Sequence, residues 1–206
     1  MQRNKNSLSS WKIRDVILIG LIGVIFGILF FIFGMPWTTF VSLSAPLGSL
    51  IAGNSLAQSI GSAQVAEQVA NAATIGLWVM GGPISALIVK KAGSAVLGET
   101  LAAVIEMAIG SVWGVSNIVY GIVQGVGSEI GFAITGYKKN LAGLWLSTLT
   151  STILIFVFVY FRDSYNKLPL GYVFSLFVIS YVSVLVFSGI LVYLIYKILE
   201  KSHLIK

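Results

Sequence analysis

The run Val16-Ile-Leu-Ile-Gly20-Leu-Ile-Gly23-Val-Ile-Phe-Gly27-Ile-Leu-Phe-Phe-Ile-Phe-Gly34 contains no charged or hydrogen-bonding side chain. A membrane-crossing helix needs roughly 20 predominantly apolar residues, so this stretch by itself reads as a span. It is too long for the apolar core of a signal peptide and lacks a convincing cleavage pattern, so it is expected to be retained. Outward from it the same pattern recurs. Asp, Glu, Lys and Arg are absent from Asn140 to Phe161 and from Leu168 to Tyr196. With 57% hydrophobic residues, 10% charged residues and a mean hydropathy of +0.94, the chain has too little polar surface to coat a soluble domain. Lipid is the solvent for much of it.

The expected architecture is an all-α integral membrane protein, one membrane domain over residues 1–206. Six spans are expected, near 16–34, 70–89, 92–110, 116–136, 141–161 and 171–199. Gly81-Gly82-Pro83 should kink or break the second span, because proline removes a ladder hydrogen bond. The third and fourth spans are rich in Gly, Ala and Ser, which lets backbones approach closely. The fifth and sixth are bulkier and read as lipid-facing. Segment 35–69 is too long for a bare connection. It is expected to form a re-entrant or interfacial lid, helical from about Pro46, with an ordinary external loop as the alternative.

Lys and Arg placement sets orientation. If the N-terminus is inside, the inner segments carry Arg3, Lys5, Lys12, Arg14, Lys90, Lys91, Lys138, Lys139, Lys197, Lys201 and Lys206, and the outer ones only Arg162 and Lys167. Both termini are therefore expected in the cytoplasm of a multi-pass plasma-membrane protein. The net charge of +6 reflects this topology, not nucleic-acid binding.

Carboxylates within spans are expensive and mark function by default. Glu99 and Glu106 sit seven positions apart on one face of the third span, and Glu129 lies on the fourth. Around Glu106, Trp113 falls on the same face if the helix continues through Gly110. Asn117, Gln124 and Ser128 form a stripe on the fourth span, with Tyr120 beside it. The second span presents Gln64, Glu67, Gln68, Asn71 and Trp78 at helical spacing, and Trp37 opens the lid. Aromatic faces and neutral hydrogen-bonding groups around a carboxylate suit a small, flat, polar or cationic heteroaromatic ligand. Any single Trp or Tyr near a span end also fits an interfacial anchor. Glu129 faces another neighbour and reads as structural or as part of a partner surface; His203, in a charged tail, reads as solvated.

Cysteine is absent, which removes disulfides and thiolate metal sites, and no metal site is expected. No HExxH, GxSxG or GxxxxGK[ST] motif occurs, so the chain does not read as an enzyme, and any ATP hydrolysis must come from other chains. Gly20, Gly23 and Gly27 form a shallow groove on the first span where a partner helix could dock.

Several motifs resemble the YkoE family. They are Trp11-Lys-Ile-Arg-Asp15, Leu-Ile-Gly-Val-Ile-Phe-Gly27, Gly76-Leu-Trp-Val-Met-Gly-Gly-Pro83 and Ala86-Leu-Ile-Val-Lys-Lys91. Gly98-Glu-Thr-Leu-Ala-Ala-Val-Ile-Glu106, Gly110-Ser-Val-Trp-Gly114 and Gly121-Ile-Val-Gln-Gly-Val-Gly-Ser-Glu129 continue the series. The resemblance implies a substrate-binding S component of an energy-coupling factor (ECF) transporter, an ABC-type importer. Such a subunit would bind thiamine or its hydroxymethylpyrimidine precursor in an outward-facing cleft. It would work with a transmembrane T subunit, docked on the first helix, and two ATPase subunits. The alternative from the residues alone is a stand-alone secondary transporter using Glu99, Glu106 and Glu129 as ion sites; the inverted repeats that would favour it are not evident.

Overall fold

The computed structural model describes residues 11–138 and 140–202. Arg3, Lys5, Lys139, His203 and Lys206 lie outside them. The described chain is helical: α1 (Ile13–Gly34), α2 (Trp37–Ile60), α3 (Ser62–Thr74), α4 (Gly81–Val89), α5 (Ser94–Ile109), α6 (Ser116–Ile134), α7 (Asn140–Arg162), α8 (Leu170–Val184) and α9 (Val192–Lys201). Among the described residues five stretches are long and apolar enough to cross a membrane: Ile13–Gly34, Trp37–Ile60, Ser62–Val89, Asn140–Arg162 and Leu170–Lys201. The expected third and fourth spans, now α5 and α6, are not among them. At 16 residues α5 is about 24 Å long, short of a bilayer core of roughly 30 Å. Packed between α1, α4 and α6, it runs from the Lys91 end of the bundle to the end where Trp113 lies.

Small residues set this inner packing. A Cβ on Gly121 or Gly125 of α6 would come within 2.5 Å of Ala103 or 2.8 Å of Val96 on α5. On the other side of α6, a Cβ on Gly127 or Gly131 would reach 2.6 Å from Ser151 or 2.2 Å from Ser147 on α7. Two faces of one helix are thus stripped to backbone so that two neighbours can close in.

The same geometry corrects the reading of α1. A Cβ on Gly23 would sit 2.6 Å from Leu101, and one on Gly27 2.6 Å from Ile105 and 2.8 Å from the Ala102 carbonyl. That groove is already filled by α5, so Gly23 and Gly27 are not available to a partner. Gly20 has nothing within 4 Å and remains open. What α1 turns outward is bulky: Ile17, Leu21, Val24, Ile28 and Ile32 are exposed. Spacing could find the groove but could not say which helix occupies it.

The second span is interrupted, but ahead of the expected Gly81-Gly82-Pro83. The α-helix stops at Thr74, a 3-10 turn covers Ile75–Val79, and α4 restarts at Gly81. Pro83 sits in the first turn of α4, where its missing N–H leaves no bond unmade. The break is stabilised from α8 and the π-helical turn Leu185–Leu191 that links it to α9. The Gly76 N–H donates to Ser183 Oγ at 3.0 Å, and Ser188 Oγ donates to the Gly76 carbonyl at 3.1 Å. A broken helix within a membrane bundle survives only where its freed backbone groups find such partners.

Segment 35–69 is helical from Trp37, earlier than Pro46, which rules out the external-loop reading. Gly53, at φ +69°, bends α2 where an L side chain would be strained. Trp37 packs on Trp113, which follows α5, and Leu56 packs with Tyr165 and Tyr172 between and within α7 and α8. Both ends of α2 therefore meet the same end of the bundle, the end away from Lys12, Lys91 and Lys201. At that opposite, basic end Lys91 Nζ bridges Asp15 Oδ2 at 2.5 Å, tying the start of α1 to the close of α4.

Candidate functional site

Glu106 ends the buried face of α5 and is 1% exposed. Its Oε2 accepts a 2.6 Å bond from Asn117 Nδ2, while Oε1 accepts from Trp78 Nε1 at 3.2 Å and Ser111 Oγ at 3.3 Å. Three elements supply these donors: the 3-10 turn of the second span, the α5–α6 turn and α6. The turn is sharp because α5 stops at Gly110, whose φ of +132° suits glycine alone. The helix does not continue through Gly110, the condition on which Trp113 would have shared the Glu106 face. The turn nevertheless brings Trp113 back over the same place, its ring 5.1 Å edge-on from Trp78 and 5.3 Å from Trp37. Edge-to-face geometry at these separations is favourable, and the three indoles form a continuous aromatic wall.

In front of this wall lies an open cleft bordered by Asn71, Thr74, Ile75, Trp78, Trp113, Asn117, Tyr120, Gln124, Arg162 and Asp163. A second chamber adjoins it, bordered by Thr152, Phe156, Tyr165, Leu176 and Ser180. Asn71, Ile75, Tyr120 and Asp163 border both.

Of the residues expected at the site, Trp78, Trp113, Asn117, Tyr120, Gln124 and Asn71 converge on the cleft. Glu106 stands behind Trp78 and Asn117 and does not border it. Trp37 joins the aromatic wall from the lid. Glu67 is exposed on α3, away from the cleft border; its carbonyl accepts a 3.1 Å bond from Asn71 Nδ2. Gln68 accepts a bond from the Tyr172 hydroxyl at 2.9 Å and ties α3 to α8.

Glu99 and Glu129 are used elsewhere. Glu99, 0% exposed, accepts the Gly82 N–H at 2.5 Å at the start of α4. Glu129 accepts from the N–H groups of Gly93 at 2.5 Å, Ala95 at 2.8 Å and Val96 at 3.4 Å at the start of α5. Each carboxylate from a neighbouring helix satisfies N–H groups that a helix start leaves unpaired, at the positive end of its dipole. No N-cap side chain on α4 or α5 does this work.

Sequence reasoning missed both Arg162, counted only as an outer-segment charge, and Asp163, which it did not consider. Arg162 donates to the Tyr120 hydroxyl, its guanidinium carbon lies 4.8 Å from the centre of that ring, and its Nε is 3.5 Å from Asp163 Oδ1. Burial pushes the Asp163 carboxyl above its ordinary pKa, and the Arg162 charge offsets only part of that rise. The available signal was their position: a charged pair directly after a long uncharged helix.

A family model described as the permease component of an ABC-type cobalt transport system matches residues 14–154. The chain belongs to this permease family. It is 29% identical over 185 residues to the Bacillus subtilis (strain 168) protein named "Putative HMP/thiamine permease protein YkoE", covering 89% of this chain and 82% of that one. A solved structure described as an S-component of an ECF transporter superposes with a TM-score of 0.73 at 26% identity, over 94% of this chain and 88% of that one. This permease is a transport protein and not an enzyme, and its helical bundle has the S-component fold.

Proposed function

We propose that this permease is the substrate-binding S component of an ECF-type importer, taking thiamine or its hydroxymethylpyrimidine moiety from outside the cell. The observation that carries this reading is the aromatic cleft itself. Trp78 and Trp113 offer ring edges and faces, while Asn71, Asn117 and Gln124 offer neutral donors and acceptors for a pyrimidine's nitrogens. The name of the Bacillus subtilis relative supports the choice of vitamin. The stand-alone carrier is weakened, because Glu129 and one oxygen of Glu99 are engaged by helix N-termini.

In this reading the bundle spans the plasma membrane with both termini inside, since Lys12, Arg14, Lys90, Lys91, Lys197 and Lys201 cluster at one end and the cleft opens at the other. The helix α2 is the lid over that opening. A T subunit and two ATPase subunits would supply the energy. Calorimetry of the purified permease against thiamine and hydroxymethylpyrimidine, without ATP or other subunits, tests the binding step. Saturable binding of one or both is expected; heat changes no larger than dilution for both would end the vitamin-binding reading.

A further inference from the structure

We infer that Tyr120 and Asp163 form the subsite for a fixed positive charge on the ligand, and that Arg162 is a resident cation which the ligand displaces. The inference rests on the vitamin-binding reading and sharpens it: it names what separates thiamine, which carries a cationic thiazolium ring, from the uncharged hydroxymethylpyrimidine.

An aromatic face and a carboxylate converging on one point are the two groups that best hold a delocalised cation. Tyr120 and Asp163 converge in this way, and the cation they hold is the guanidinium of Arg162, 4.8 Å from the Tyr120 ring centre and 3.5 Å from Asp163 Oδ1. The guanidinium is planar and delocalised, as a charged heteroaromatic ring is. Exchanging one for the other leaves the charge of the site unchanged, so Asp163 is never left without a counter-charge. Arg162 can leave readily, because its side chain is 41% exposed and needs only to turn into water.

Position favours the same assignment. Among the described residues Asp163 is the carboxylate that borders the cleft, since Glu106 is closed off behind Trp78 and Asn117. Tyr120 and Asp163 also border both chambers. A neutral ring held at the tryptophan wall would therefore place a second, linked ring at the junction, beside both groups. The remaining substituent would enter the chamber of Phe156 and Tyr165.

The test compares thiamine and hydroxymethylpyrimidine by calorimetry on the full-length permease and two variants. Asp163→Asn should weaken thiamine binding about tenfold more than hydroxymethylpyrimidine binding, the size expected when a cation loses a charged partner. Arg162→Ala should strengthen thiamine binding, because the competing cation is gone. Hydroxymethylpyrimidine serves as the check that each variant still folds a cleft. Equal losses for both compounds in Asp163→Asn, or weaker thiamine binding in Arg162→Ala, would overturn the inference while leaving vitamin binding intact. Failure of the unaltered protein to bind either compound would instead remove the vitamin-binding reading beneath it.

Discussion

Trp78 donates its indole N–H to Glu106 Oε1 across 3.2 Å, so the deepest carboxylate near the cleft is turned toward the protein and not toward the ligand. With Asn117 on its other oxygen, Glu106 fixes the orientation of two side chains that do face the cleft. A buried carboxylate with three donors is a brace, and removing its charge loosens everything it holds.

Glu106→Gln should therefore act on the wall as a whole. The amide cannot accept on both sides, so Asn117 or Trp78 loses its partner, at a cost of about 1–3 kcal/mol of stability. Thermal melting should shift down, and affinity for the neutral and the cationic compound should fall by similar factors. A loss confined to the cationic compound, at unchanged melting temperature, would place Glu106 in direct contact with the ligand's charge.

Gly27→Leu should damage the fold, not the assembly alone. The new side chain would point at Ile105 and the Ala102 carbonyl, both inside 3 Å of its Cβ. Overpacking of this kind costs about 1–3 kcal/mol. Gly20→Leu, with open space before it, should leave the melting temperature nearly unchanged. Equal melting temperatures for the two variants would mean that α1 does not pack on α5 through these glycines.

Ser183→Ala removes the acceptor for the Gly76 N–H and leaves it buried and unpaired, a loss of about 1–3 kcal/mol. Because Trp78 lies two residues beyond Gly76 in the same 3-10 turn, its fluorescence should change with the stability. Intact emission together with unchanged melting would show that the turn does not depend on α8.

Glu129→Ala strips the α5 N-terminus of the carboxylate that accepts from Gly93, Ala95 and Val96. Loss of a cap costs about 0.5–2 kcal/mol. The variant should melt earlier yet keep its affinity for the vitamin, since Glu129 is remote from the cleft border. Normal stability with impaired uptake in cells would instead make Glu129 part of a partner surface.

What the order of residues determined by itself is the part that depends on solvent. Charge-free runs such as Val16–Gly34 require lipid, and the placement of Lys and Arg groups the polar ends. Helical spacing likewise put Asn117, Tyr120 and Gln124 on one side of α6, because residues on a common stripe stay on a common face. Pairings between helices needed the tertiary structure. The glycine groove of α1 was legible as a groove, but only packing showed that Leu101 and Ile105 fill it. Spacing set Glu129 apart from Glu99 and Glu106, but only packing showed that Glu99 and Glu129 satisfy helix N-termini while Glu106 braces an indole, since a carboxylate's role is set by whichever donor is nearest in space. Arg162 and Asp163 joined the cleft only once α7 was laid beside α6, because a contact across forty residues of sequence has no local signature.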